Sequence, residues 1–193
     1  NDGLESHDRN QSINFIDLEN NNIDKDGVKI IARKPNLFYL NLDKNPLQNE
    51  GAAFLAQASV LEWLSIVGCG VGVEGAHALS ALNHLTMLNI DNNLIGDEGI
   101  IALTKMSSLN NLYANNNHIG DEGAKTLASV LQLHNLSLSH NNIGDDGALA
   151  LAETTTLYTL DVGFNQISAI GVEALRNNEI LTYLNTLGNP GDE

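Results

Sequence analysis

The sequence repeats large apolar side chains at one interval, and a polar side chain accompanies each of them. Phe15, Tyr39, Trp63 and Met87 follow one another at intervals of 24 residues, and a polar residue stands two positions after each. Aromatic side chains are common binding hot spots, and carboxylates beside them attract cationic groups. The pattern therefore favours a recognition surface.

Motifs for catalysis or metal binding are missing from the sequence. There is no G-x-S-x-G, no phosphate-binding loop and no H-x-x-x-H spacing among the six histidines. The run Asp24-Lys25-Asp26-Gly27 begins like a calcium loop but lacks a glutamate at loop position 12. Cys69 is the single cysteine, so it cannot form an internal disulfide. We predict no catalytic residue, no metal site, no cofactor and no enzymatic activity.

The composition narrows the classes of partner. The chain has 193 residues with 24 acidic and 9 basic side chains, a formal net charge of −15, and most of the excess acid lies after residue 44. Such a charge repels a phosphate backbone, so nucleic-acid binding is not expected. No apolar stretch reaches the length of a membrane span. A protein partner with a basic or mixed patch is favoured.

The elements that position these side chains recur in units of 24 residues. Each unit opens with the pattern L-x-x-L-x-L-x-x-N, whose alternation predicts a strand with one buried face. It closes with G-A-x-x-L-A, whose spacing of three and four predicts a helix. The unit starts are Ile13, Leu37, Leu61, Leu85, Leu109, Leu133, Leu157 and Leu181.

Three columns of residues join strand to helix. An asparagine ends the opening pattern in every unit except one, where Cys69 replaces it, and we expect this column to satisfy buried backbone groups and to bond between units. An unbroken glycine column predicts a tight contact between neighbouring units. Asp97, Asp121 and Asp145 are expected to cap the helices that they begin.

The full unit L-x-x-L-x-L-x-x-N-x-I-G-D-E-G-A-x-x-L-A resembles a leucine-rich repeat of the ribonuclease-inhibitor-like class. Its length and its G-A-x-x-L-A ending are similar to the GALA-type repeats of bacterial effectors. The resemblance covers residues 13–193. It implies an α/β leucine-rich-repeat solenoid, or horseshoe, with a parallel β-sheet on the concave face and helices on the convex face. Partner binding is then expected mostly on the concave face.

The repeats set the expected domain organisation. Residues 1–12 form a polar N-terminal segment that could act as a cap, and residues 13–193 form one domain of seven repeats plus a partial eighth. The first residue is not methionine, and the eighth unit stops before its helix. We therefore expect a fragment of a longer protein.

Strand alternation indicates which side chains are free to bind. Positions 3, 5 and 7 of each unit should face the concave surface, where four large apolar side chains would form a row of roughly 15 Å. The alternative is that this row packs on itself or on a flanking segment. Later units place small polar residues there. The predicted protein-binding residues are Phe15, Tyr39, Trp63, Met87, Asp17, Asn41, Asp43, Asn89 and Tyr113.

The leading functional hypothesis is a non-catalytic domain that recognises a protein on its concave face. By resemblance it is soluble and belongs to a bacterial effector, located in the bacterial cytoplasm or secreted into a host cell. Two alternatives stay open. The domain could be the substrate-recruiting arm of a larger enzyme such as a ubiquitin ligase, or it could be a purely structural, self-assembling repeat.

Overall fold

Strands and helices alternate along the chain in the computed structural model, which describes residues 12–130 and 132–192. The strands are β1 (Phe15–Asp17), β2 (Tyr39–Asn41), β3 (Trp63–Ser65), β4 (Met87–Asn89), β5 (Asn111–Tyr113), β6 (Asn135–Ser137), β7 (Thr159–Asp161) and β8 (Tyr183–Asn185). The helices are α1 (Lys25–Ile31), α2 (Gln48–Leu55), α3 (Val73–Leu79), α4 (Gly96–Leu103), α5 (Asp121–Ala128), α6 (Asp145–Ala152) and α7 (Ala169–Arg176). A 3-10 turn at Pro190–Asp192 follows β8.

The eight strands form one parallel sheet in chain order. Each strand pairs with the next at an offset of 24 residues, so that Phe15 lies opposite Tyr39 and Tyr39 opposite Trp63. Consecutive helices pack against one another on one side of this sheet. The predicted α/β solenoid is confirmed, while the predicted division at residue 12 stays a prediction because residues 1–11 lie outside the described part.

The leucines of the opening pattern form the core between sheet and helices. Leu64 and Leu88, the central residues of β3 and β4, are fully buried, and so is Leu85 at the start of its unit. Their neighbours within each strand point to the opposite, concave face. Burial of one alternating set thus leaves most of the other set available for contact with a partner, with the exception of Ser65, which is also buried.

The asparagine column satisfies the backbone where the chain turns out of the sheet. The Asn93 side chain donates to the carbonyls of Ile66 and Ile90, both at 2.9 Å, and accepts from the amides of Cys69 at 3.2 Å and Val71 at 2.9 Å. These side chains bond to backbone groups of two units rather than to one another. The buried members are Asn45, Asn93, Asn117, Asn141, Asn165 and Asn189.

The aspartates at the helix starts cap a different helix from the one expected. Asp121 Oδ1 accepts the amides of Gly144 at 2.7 Å and Gly147 at 2.9 Å, which belong to the next unit. Asp145 does the same for Ser168 at 2.8 Å. The prediction that these residues cap their own helices was wrong, because each stands inside its helix and its carboxylate points towards the following unit.

Candidate functional site

The concave row lies where the alternation placed it. Phe15, Tyr39, Trp63 and Met87 are register partners on β1 to β4. The rings of Phe15 and Tyr39 stack with centroids 4.2 Å apart, and those of Tyr39 and Trp63 stack at 3.8 Å and within 8° of parallel. Both faces of the Tyr39 ring are therefore covered. What this part of the row offers to a partner is the rim of stacked rings.

The row keeps part of its surface in solvent although it packs on itself. Phe15 is 56% exposed, while Tyr39, Trp63 and Met87 are half-buried. Burial raises the pKa of the Tyr39 hydroxyl, and the charges of Asp17 and Asp43 raise it further. The row is thus an ordered apolar strip with carboxylates beside it.

Among the predicted polar residues, one carboxylate is exposed with a single local hydrogen bond, and the others hold backbone or side-chain groups of the repeat. Asp17 is exposed and accepts one local amide, that of Glu19. Asp43 bridges to the next unit, accepting from the Ser65 hydroxyl at 2.6 Å and the Val67 amide at 2.8 Å.

The two predicted asparagines have local partners. The side chains of Asn41 and Asn89 accept the amides of Asp43 and Asp91, at 3.0 and 3.1 Å. Tyr113 is half-buried on β5, where it lies opposite Asn89, outside the aromatic stack. Most of these polar groups therefore hold the strand ends.

Asp91 is a charged residue of this face that we did not include among the predicted binding residues. It accepts the Asn115 amide at 2.7 Å and the Asn115 side chain at 3.1 Å. Burial raises the pKa of its carboxyl, and the negative charges of Asp43 and Asp161 raise it further. Asp91 stands at position 7 of its unit, which strand alternation assigns to the concave face, so the sequence does indicate its placement there. The carboxylates of this face influence one another across several strands.

The later units have the small polar centre that the sequence predicted. The side chains of Asn111 and Asn135 hydrogen-bond at 2.5 Å, and Asn115 accepts from Ser137 at 2.8 Å and Ser139 at 2.9 Å. These groups bond mainly to one another. The centre of this half is consequently less open to new hydrogen bonds than its composition suggests.

Stacked rings flank this polar centre, and all of them except the half-buried His134 are exposed; the sequence reasoning missed them. His134 stacks on Tyr158 at 5.5 Å, and His140 stacks on Phe164 at 4.4 Å. They occupy positions 2 and 8 of the unit, which alternation does not assign to the strand face. The 24-residue spacing of each pair was a usable signal. Beyond them, Tyr183 and Leu187 are also exposed, by 55% and 60%.

The other chemical candidates have structural roles. Asp24 caps α1 by accepting the amides of Asp26 and Gly27, each at 3.1 Å. Cys69 is buried and donates its thiol to the Leu42 carbonyl at 3.1 Å. Across residues 12–130 and 132–192, no group of three or more His, Cys, Asp or Glu side chains is arranged to hold a metal ion.

In the same described ranges, none of the helices has the length and apolar character needed to cross a membrane.

Comparison with known proteins agrees with this architecture. A family profile described as "Leucine Rich repeat" matches residues 9–32, 33–56, 81–103, 114–128, 133–152 and 154–175, about two thirds of the chain. Among solved structures, internalin C2 of Listeria monocytogenes aligns with a TM-score of 0.72 and 22% identity, covering 90% of this chain and 80% of that one. At this identity the alignment establishes the fold alone. The curated proteins contain no match.

Proposed function

We propose that this chain, which belongs to the leucine-rich repeat family, is a non-catalytic recognition domain that binds a protein partner on its concave face. Leucine-rich repeat solenoids are general scaffolds for protein binding, and their curvature creates extended concave surfaces. The observation that carries the proposal is the stacked row of Phe15, Tyr39 and Trp63 on that face.

Stacking supports binding because it holds the rings in place before a partner arrives. A side chain that is immobilised on binding typically costs about 0.5–1.5 kcal/mol. Tyr39 lies between two rings, so most of its freedom is already lost in the free protein. The self-packing alternative and the binding hypothesis are therefore compatible.

The partner and its setting follow from charge and resemblance. Acidic side chains beside the row favour a partner with a basic or mixed patch. The similarity of the repeats to the GALA-type units of bacterial effectors supports a bacterial protein that acts in a host cell. In that setting the domain would select a host protein.

Affinity capture with a matched pair of variants tests the proposal. Wild type, Tyr39→Ala/Trp63→Ala and Ile101→Ala/Leu149→Ala are each incubated with eukaryotic cell lysate, and retained proteins are identified by mass spectrometry. Ile101 and Leu149 are exposed apolar residues on helices α4 and α6. A partner should bind wild type and the helix variant but lose roughly tenfold or more in affinity for the concave variant. Circular dichroism establishes that all three are folded, and equal retention by all three contradicts the proposal.

A further inference from the structure

The concave face carries more negative charge than the described residues neutralise. Positions 3, 5 and 7 of the eight units contain five carboxylates and no lysine or arginine. Glu19 is paired with Lys44 at 2.6 Å. The other four form no salt bridge within residues 12–130 and 132–192; they are Asp17, Asp43, Asp91 and Asp161.

The aromatic row restricts how a cation can be held there. A cation binds favourably over the face of a ring, whereas the ring edge carries the positive end of the quadrupole. Phe15 and Trp63 cover both faces of Tyr39, so that ring has no face left for a cation. The stacked rims instead offer an apolar strip with carboxylates along it. Lysine and arginine match such a surface, because their aliphatic stems lie on apolar groups while their charged ends reach outwards.

The strand order sets the spacing that a cationic partner must have. Neighbouring strands are about 4.8 Å apart. Asp43 and Asp91 follow β2 and β4, which lie two strands or about 10 Å apart along the sheet. Asp161 ends β7, about 14 Å further on. An extended peptide advances roughly 3.3 Å per residue and its side chains alternate between two faces, so cations four residues apart lie on the same face about 13 Å apart. Three such cations span about 26 Å, close to the distance of about 24 Å from Asp43 to Asp161, and the flexible side-chain stems accommodate the remaining differences.

We propose that the concave face binds an extended, cationic segment of a partner protein that crosses the strands and carries lysine or arginine at intervals of four residues. This inference rests on the proposed recognition function and specifies its partner. The stems of the first two cationic side chains pack on the rims at Tyr39 and Trp63, and the three charged ends pair with Asp43, Asp91 and Asp161.

Two peptides of equal charge provide the test. One has nine residues with lysine at positions 1, 5 and 9 and serine elsewhere, and the other has its three lysines together at one end. Trp63 is the only tryptophan and lies on β3, between the strands that precede Asp43 and Asp91, so its fluorescence reports binding locally. At low ionic strength the spaced peptide should bind at least threefold more tightly, and added salt should weaken it.

Matched charge variants locate the effect. Asp43→Asn/Asp161→Asn removes two concave charges and keeps the Oδ1 acceptors that Ser65, Val67 and Gly163 use. Glu98→Gln/Glu173→Gln removes two charges from exposed positions on helices α4 and α7. The concave pair should abolish the preference for the spaced peptide, and the helix pair should leave it intact.

Three results would overturn the inference: equal affinity for the two peptides, no binding of either, or equal effects of the two variant pairs. A captured partner that needs Tyr39 and Trp63 but binds Asp43→Asn/Asp161→Asn normally would retain the recognition function and remove only the cationic segment. If no partner depends on the aromatic row, the recognition proposal fails whatever the peptides do.

Discussion

Gly147 shows at the scale of one residue how closely neighbouring units approach. A Cβ at this position would lie 2.9 Å from the Ala124 Cβ and 2.8 Å from both Asp121 Oδ1 and Ile143 Cγ2. Such distances lie inside van der Waals contact. The predicted tight contact between units is confirmed at Gly75, Gly99, Gly123, Gly147 and Gly171, whereas Gly51 approaches only Leu47 of its own unit.

Gly147→Ala should therefore destabilise the protein although alanine is the better helix former. Overpacking typically costs about 1–3 kcal/mol, which outweighs the gain of about 1 kcal/mol in helix propensity. Urea denaturation of the single variants and of Gly147→Ala/Ala124→Gly measures the effect. The loss should shrink in the double variant, because Ala124→Gly removes one of the clashing atoms. If Gly147→Ala lowers the free energy of unfolding equally with Ala124 and with Gly at position 124, the contact with the Ala124 Cβ is not the cause of the destabilisation.

Cys69 links stability to alkaline pH. Burial raises the pKa of its thiol from 9.0 to about 11. An unfolded chain releases this proton near pH 9, while the folded chain keeps it. The protonated thiol therefore contributes its full share to the free energy of unfolding below pH 9, and that share is lost as pH rises towards 11. A pKa difference of two units between the folded and unfolded states corresponds to a loss of about 2.7 kcal/mol of stability at most.

The free energy of unfolding of wild type and Cys69→Ala, measured in urea at pH 8 and pH 10, checks this. Wild type should lose more stability than the variant over that interval. Tyrosine and lysine titration contributes similarly to both proteins, so the difference between them isolates the thiol. Parallel losses would show that the thiol titrates normally in the folded state.

At the scale of one element, the starts of helices α3, α5, α6 and α7 depend on a side chain of the preceding unit. Gly144 begins the turn into α6, and its amide is satisfied by Asp121 of α5 rather than by a residue of its own helix. Asn49 in α2 serves Gly72 and Gly75 in the same way, at 2.7 and 3.2 Å. Helix formation is therefore coupled between units.

Asp121→Ala should weaken α6 more than α5. Loss of a capping side chain typically costs about 0.5–2 kcal/mol. Hydrogen exchange should accelerate at Gly144 and Gly147, whose amides lose their acceptor. Asp121→Asn, which keeps Oδ1, should restore most of the protection. Glu122→Ala is the control, since it removes an acid from the same turn of α5, and faster exchange in α6 there would argue against the cross-unit cap.

The sequence predicted elements better than the contacts between them. Period 2 followed by period 3.6 located strands and helices, because each pattern reports one buried face of its own unit. The cap from Asp121 to Gly144 spans 23 residues, and no local pattern indicates which of two helices an aspartate serves. The stacking of His140 on Phe164 was hidden for a related reason: both have positive φ, at 55° and 54°, so strand alternation does not extend to them.

At the scale of the whole molecule, the seventh unit and the partial eighth replace small and core residues with polar ones. Arg176 stands where earlier units have a small residue, and Thr186 stands in an apolar column. Arg176 donates to Asp192 at 2.7 Å and Thr186 donates to the same oxygen at 2.6 Å. This network links the last residue of α7 and the residue after β8 to the 3-10 turn.

A solenoid in which each unit contacts only its neighbours should respond differently to the same substitution at its centre and its end. Leu88 and Leu184 occupy the same column, but Leu88 is fully buried between β3 and β5, whereas Leu184 is half-buried on the terminal strand β8. Leu88→Ala should cost about 3 kcal/mol or more, within the range for a buried leucine, and Leu184→Ala about 1 kcal/mol.

Urea denaturation with hydrogen exchange separates the two effects. Leu184→Ala should accelerate exchange only around β8 and α7, because the units before them keep both of their neighbours. Leu88→Ala should accelerate exchange on both sides of β4, since it weakens two interfaces at once. Equal losses with uniform exchange would mean that the chain unfolds as one cooperative block. In that case the stacked row on β1 to β3 would depend on the last unit as much as on its own neighbours.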